Sequence, residues 1–404
     1  MRAPPASTLD SHLRSTFHHL YWDIFWYGVL AGSTIAFLSV YAARLGATSL
    51  QIGLLTAGPA MTNLIISLPA GRWLERRQLI GVTFLSSVWQ RVGYLALIIL
   101  PWLLPANGQV WALQLTVLLI SVPGTLLAIA FNAMFAELVP SEWRGQVVGR
   151  RNALLAFSII FTSLLCGWLL DRIAFPLNYQ VVFALGVLGA ALSSYHLSRL
   201  RPALTLPPLA RRAGGRGKPM LRLDLLRGSF GPLLAVYLLF YTFQNIPIPL
   251  FPLAWVRELH LSDGAISLGN ALFYLAMLLA STRVGQLSAR WGHRRMLVLG
   301  ALFYGSYPLF TGLAQDAKLF WVASLTGGVA WALANAGLLN RLMERVPPDD
   351  LPAHMALHNL ALNLGLLGGS LIGPALGDGL GLRQALLLSA GLRLLGGVLL
   401  GLWG

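Results

Sequence analysis

Three ionisable residues, Asp23, Arg91 and Arg393, sit inside otherwise apolar stretches of the sequence. A charge buried at membrane depth is expensive and is by default a functional hypothesis. Asp23 is the acidic candidate for taking and releasing a proton. Arg91 could attract an anion or pair with an acid. His354 and His358 stand i, i+4 on one helix face, a spacing that can bind a metal. No acidic third ligand lies near them on that face, so no metal site is expected. Tyr237, Tyr241 and Gln244 are spaced i, i+4, i+7 and share a face, as do Trp331 and Asn335. Such mixed polar and aromatic faces can hold a small organic molecule or bond neighbouring helices. There is no P-loop, so ATP hydrolysis is not expected. A membrane-embedded enzyme would need converging catalytic groups, and only the histidine pair offers any. No cofactor is expected.

The stretches that carry these residues read as membrane helices. Hydrophobic residues make up 56% of the 404 and charged residues 11%, against about 25% charged in a soluble domain. Mean hydropathy is +0.68. Apolar runs of about twenty residues recur along the chain, each long enough to cross a ~30 Å hydrocarbon core. Punctuation by proline and polar residues predicts twelve helices, near 20–43, 50–71, 79–104, 110–137, 148–170, 179–199, 230–255, 264–287, 295–314, 318–344, 353–377 and 382–402. Pro247, Pro249 and Pro252 predict a bend in the seventh. The first eighteen residues lack a short apolar core, so no removable signal peptide is read. The lone Cys166 lies in an apolar run and reads as a buried, inert thiol.

The net charge of +15 would suggest nucleic acid in a soluble protein. Here the basic residues concentrate in alternate loops, so they report topology and no nucleic-acid partner is expected. Twenty-two of the 29 fall on one side if the N-terminus is cytoplasmic. Both termini are therefore expected in the cytoplasm of a bacterial cell with the chain multi-pass in its membrane. Residues 200–228, rich in Pro, Gly and Arg, read as a basic cytoplasmic linker that could touch anionic lipid. It separates a 1–19 tail and a 20–199 six-helix half from a second half at 229–404.

The halves repeat each other. Gly71 and Arg76 recur 214 residues on as Gly285 and Arg290. Glu137, Asn152 and Asp171 recur 207 residues on as Glu344, Asn359 and Asp378. With the helix count and the basic central loop, these features resemble the major facilitator superfamily. The most specific likeness is the short basic loop after the second helix. The second-half copy keeps Gly285, Arg290, Gly292, Arg294 and Arg295 but has Ala289 in place of the acid. The first-half copy keeps Gly71, Glu75 and Arg76 but has Gln78 where glycine is expected.

The resemblance implies an all-α membrane protein of twelve helices in two pseudo-symmetric six-helix bundles. It implies a cavity lined by the first, fourth, seventh and tenth helices, where Trp26, Tyr27, Gln114, Tyr237, Tyr241, Gln244, Asn245, Trp331 and Asn335 are the candidate solute contacts. It places Glu75 opposite the start of the eleventh helix, as a latch with Gly71, Arg76, Gly285, Arg290 and Arg294. Glu137 and Glu344 are expected to form gate salt bridges with nearby arginines, Arg144 among them. Asp23 and Arg91 remain the coupling or charge candidates. The function expected is secondary transport of a small solute by a monomer in a lipid bilayer, with proton-coupled efflux of amphiphilic compounds the first reading. Uptake of an organic anion is the alternative, and a non-transporting sensor on the same fold is the reading from a different class.

Overall fold

A computed structural model describes residues 11–74, 77–201, 222–228, 230–346 and 350–403. Glu75, Arg76 and most of the expected linker lie outside the described residues. Among the described residues, twelve helical segments are long and apolar enough to span a membrane. The first half comprises α1 (Ser11–Arg44), α2 (Ser49–Leu74), α3 (Leu79–Leu103), α4 (Ala106–Leu138), α5 (Ser141–Leu170) and α6 (Leu177–Ser198). The second comprises α7 (Phe230–Glu258), α8 (Asp263–Trp291), α9 (His293–Leu313), α10 (Ala317–Arg345), α11 (Leu351–Leu380) and α12 (Leu382–Trp403). The first helix starts at Ser11, nine residues before the expected start, so part of the expected tail is helical. That segment is polar but packs Phe17 and Leu20 against Met134, Leu138 and Trp143. Tertiary burial extends a helix whose hydropathy alone would end it.

The two halves are built alike. In the first, α1 packs on α5 and α6 while α4 packs on α2 and α3. In the second, α7 packs on α11 and α12 while α10 packs on α8 and α9. Adding six to each label converts one pattern into the other. The likeness extends to a local break. In α3 the helix is interrupted at Tyr94 and in α9 at Tyr304, both with φ −68° and ψ −18°.

Lipid offers no hydrogen bonds, so a freed backbone group must find a partner inside the protein. The seventh helix shows how. Regular helix stops at Asn245 and resumes at Leu250, the bend expected from the prolines. Ile248 N bonds Asn245 O, which leaves Gln244 O without its usual i+4 donor. In α9, Tyr304 O looks toward Pro308, which has no N–H to give. Arg393 of α12 serves both. Its Nη2 donates to Gln244 O at 2.5 Å and its Nη1 to Tyr304 O at 3.3 Å. Its guanidinium lies 4.2 Å from the Tyr304 ring centroid. A fully buried arginine thus satisfies two carbonyls that proline chemistry exposes.

The halves meet along two seams, α2 with α11 and α5 with α8. Both seams are tight at the end where the loops are poor in arginine. A Cβ on Gly53 of α2 would collide with Ser370 O and Pro374 of α11, and one on Gly167 of α5 with Ser267 of α8. Gly71 on α2, Gly145 and Gly149 on α5, and Gly285 on α8 each have open space where a side chain would point.

Candidate functional site

The arginine-poor end is held shut by polar contacts between the halves. Tyr41, Tyr179 and Phe183 form a buried aromatic cluster in the first half, with the half-exposed Phe175 packed against it and Tyr41 and Tyr179 centroids 4.8 Å apart. That cluster aims Tyr179 Oη across the seam, where it donates to Asp263 Oδ1 at 2.9 Å. Arg44, at the end of α1, pairs with Asp263 at 3.0 Å and donates to Leu261 O at 2.6 Å. Arg257 of α7 donates back to Ala47 O at 2.5 Å. Asp171, just past α5, accepts from Gly264 N at 3.1 Å and from Ser262 Oγ at 3.1 Å. Ser262 is the N-cap of α8. A carboxylate from one half therefore sits on the positive N-terminus of a helix in the other. His260 turns the chain into this loop with φ 48°, in the left-handed region.

A second cluster lies within the first half. Asp23 of α1 is buried and faces Arg151 of α5 at 3.4 Å and Arg91 of α3 at 3.9 Å. Ser193 Oγ donates to Asp23 at 2.5 Å. Arg91 donates to Ser194 Oγ and Ser193 Oγ at 2.5 and 2.8 Å, and Arg151 to Leu20 O at 2.8 Å. Two arginines against one carboxylate knit four helices and leave one net positive charge buried. The serines of α6 bridge what the carboxylate alone cannot.

Between the halves, toward the arginine-rich end, a cavity of about 190 Å³ opens among α2, α4 and α11. Asn63, Ser67, Asn359 and Asn363 give it polar atoms, and residues such as Leu64 and Ile129 give it apolar walls. None of its lining residues is ionisable. Asn63 Oδ1 accepts from Thr125 Oγ1 at 2.6 Å, and Asn363 Nδ2 donates to Asn359 O at 2.8 Å.

The residues singled out from sequence fall in several places. On α4, Gln114 donates to Gln51 O of α2, as Ser121 does to Thr62, so these groups bond within the half. Trp26 packs in an aromatic row with Trp22 and Phe25, its carbonyl against Gly189 of α6. Tyr27 lies in electrostatic range of Arg91, Asp23 and, across the halves, Tyr274 of α8. Tyr237 donates to Leu338 O of α10 at 3.2 Å, and Tyr241 Oη meets His358 Nε2 at 2.7 Å. Asn245 bonds Tyr241 O, and Trp331 packs on Tyr304 at 5.7 Å. The Gln244 side-chain oxygen is buried without a partner among the described residues, and Asn335 is exposed.

The histidines diverge, His354 to Asp350 O and His358 to Tyr241. At the arginine-rich end, Glu344 pairs with Arg341 at 3.1 Å and with His293 at 3.7 Å, within its own half. Glu137 is exposed, and Arg144 donates to Ala136 O and Val139 O, the closing carbonyls of α4. That use of Arg144 suits a helix C-terminus, whose last carbonyls lack intrahelical donors. Arg290 is exposed, and Arg294 caps α12 at Gly401 O. The asparagines of the cavity were not among the expected contacts. Their signal was the i, i+4 pair Asn359 and Asn363 in an apolar helix.

Comparison with known proteins agrees with this architecture. The nucleoside transporter NupG, as a mutant, superposes with a TM-score of 0.77 at 11% identity, over 95% of this chain and 98% of that one. A bacterial homologue of the iron transporter ferroportin, in an inward-facing state, superposes with a TM-score of 0.74 at 16% identity, over 98% and 99%. Among curated proteins, Multidrug resistance protein 1 of Bacillus subtilis (strain 168) is 26% identical over 141 residues, 34% of this chain and 35% of that protein. Sugar transport protein 11 of Arabidopsis thaliana is 28% identical over 124 residues, 30% of this chain and 24% of that protein. The chain thus spans about a third or less of these curated relatives. The profile described as Major Facilitator Superfamily matches residues 24–230 and 233–404, and with that match the chain belongs to the major facilitator superfamily.

Proposed function

We propose that this protein is a secondary transporter that moves a small solute by alternating access, and that its structure is the state open at the arginine-rich end. One observation carries the reading. The halves are bolted together at one end by Asp263 and Asp171, while toward the other a cavity opens between α2 and α11. A solute site between two such halves can be exposed to either side in turn. With the arginine-rich end in the cytoplasm, the open state is inward-facing and both termini are cytoplasmic.

Within this reading the cargo is an amphiphilic compound and the driving gradient is protons, moving it outward. Support comes from the likeness to two multidrug resistance proteins of Bacillus subtilis (strain 168), at 26% and 24% identity over about a third of the chain. The guanidinium of Arg91 is taken up by Ser193, Ser194 and Asp23, which lends no support to an anion path through it. Asp23 is the one buried carboxylate facing both Arg91 and Arg151, so that residue belongs in the test.

The test uses proteoliposomes with an imposed pH gradient and a panel of charged and uncharged amphiphiles, comparing wild type with Asp23→Asn. Gradient-linked movement of at least one compound by wild type is expected. Movement of none of them would sink the proton-coupled assignment.

A further inference from the structure

We infer that the asparagine cleft is the solute subsite and that it selects an uncharged group carrying both hydrogen-bond donors and acceptors. This inference rests on the transport reading and names its cargo class. The cleft crosses the boundary between the halves: Asn63 and Ser67 come from α2, Asn359 and Asn363 from α11. It lies where those two helices have parted, beyond the tight contact of Gly53 with Ser370 and Pro374. A group that binds both walls therefore feels the halves move.

The hydrogen-bonding capacity of the cleft can be assigned atom by atom. Thr125 occupies Asn63 Oδ1, which orients Asn63 Nδ2 as a donor. Asn363 Nδ2 is spent on Asn359 O and, at 3.3 Å, on Asn359 Oδ1. That leaves Asn359 Nδ2 as a donor and Asn363 Oδ1 as an acceptor. Among the described residues no protein group uses these three atoms. Asn363 is only 5% exposed, so its amide is preset by its neighbours.

The cleft has no charge with which to compensate an ion. The intramembrane cations are engaged elsewhere: Arg91 and Arg151 with Asp23, Arg393 with two carbonyls. An ion moved from water into a cleft of carboxamides and leucines would lose hydration without gaining a counter-charge. An uncharged amide, alcohol or urea loses far less and finds matched partners. The size points the same way. A cavity of about 190 Å³ is below the ~300–1,000 Å³ of drug-sized pockets. It suits a small neutral solute or the neutral polar part of a larger one.

The test uses one introduced thiol and three probes of nearly one shape. The native Cys166 is buried, so wild type gives the background for N-ethylmaleimide labelling. Ser67→Cys places a reactive thiol in the cleft. Benzamide, benzoate and benzamidine share a ring and a planar head but are neutral, anionic and cationic. Benzamide should slow labelling by at least about threefold more than either ion, the effect of one hydrogen bond kept or lost. Asn363→Leu should abolish this protection while leaving the labelling rate without probe unchanged, which shows that the cleft is still formed. Asn359→Asp should transfer the preference to benzamidine.

Equal or better protection by either ion in the Ser67→Cys protein would overturn the inference. So would protection by none of the three, or an Asn359→Asp protein with unchanged preference. Flux in proteoliposomes separates this result from the transport reading. Failed protection with intact flux removes the subsite alone, whereas intact protection without flux removes transport alone.

Discussion

Arg393 shows how far a single residue can be read from sequence. Its position inside an apolar helix was plain, and so were Pro247, Pro249 and Pro308. What was hidden is that α7 and α9 bring their freed carbonyls to one point. Charge bookkeeping looks for an acid beside a buried arginine, but here the partners are backbone oxygens. Arg393→Met should therefore act on stability, costing about 2–4 kcal/mol through two orphaned carbonyls. Arg393→Lys should recover part of that loss. Thermal unfolding in detergent gives the measurement, and an unchanged midpoint for Arg393→Met would refute the capping role. The motif glycine offers a cleaner case of legibility. Gly292 has φ +78°, a conformation that favours glycine, whereas Gln78 at the equivalent position has φ −74°. The departure from the family pattern in the first half reflects a different loop conformation.

At the scale of elements, hydropathy located twelve helices because each must satisfy its own backbone in lipid. It placed the start of α1 late because Phe17 and Leu20 are buried by tertiary contacts that a local window does not see. The proline-rich bend in α7 was legible, since three prolines in six residues remove the donors a helix needs. The rotation of each helix about its axis was not. Ser121 and Thr125 of α4 turn to Thr62 and Asn63 of α2, and a polar residue gives no sign of which neighbour it will choose. Seam packing does yield a prediction at this scale. Gly53→Ala would place a methyl group into the Ser370 carbonyl and Pro374. The arginine-poor end should then fail to close fully. Cysteine probes on the first turn of α2 should react faster in the variant than in wild type, and equal rates would show that the seam tolerates the methyl.

For the whole molecule, the duplication was readable as paired offsets, and the packing pattern of the two halves repeats with the same six-helix step. The conformational state was not readable, because it depends on contacts between loops far apart in sequence. Asp263 is central to them, accepting from Arg44 and Tyr179. Asp263→Ala should shift the balance toward the state open at the arginine-poor end. Each charged hydrogen bond lost, about 1.5–3 kcal/mol, corresponds to roughly tenfold or more in the equilibrium. Double electron–electron resonance between labels on the loops after α1 and α7 would read the longer distance. An unchanged distance distribution would mean that Asp171 and Arg257 suffice. High salt should mimic the variant only in part, since Asp263 is buried and its pair with Arg44 is screened less than the exposed contacts of Asp171.

The close contact at Gly53 also makes α2 a lever with its fulcrum near one end. Asn63 lies about 15 Å along the helix from Gly53, and Leu74 about 30 Å, at ~1.5 Å per residue. A rigid tilt about that contact moves Asn63 about half as far as the mouth. In the proposed transport cycle the solute would be gripped and released through a geared-down motion. A mouth that opens by a full helix width, about 10 Å, changes the grip by about half that. In that cycle a hydrogen bond to a bound solute, lost beyond about 3.5 Å, would survive small fluctuations of the mouth and break well before the stroke is complete.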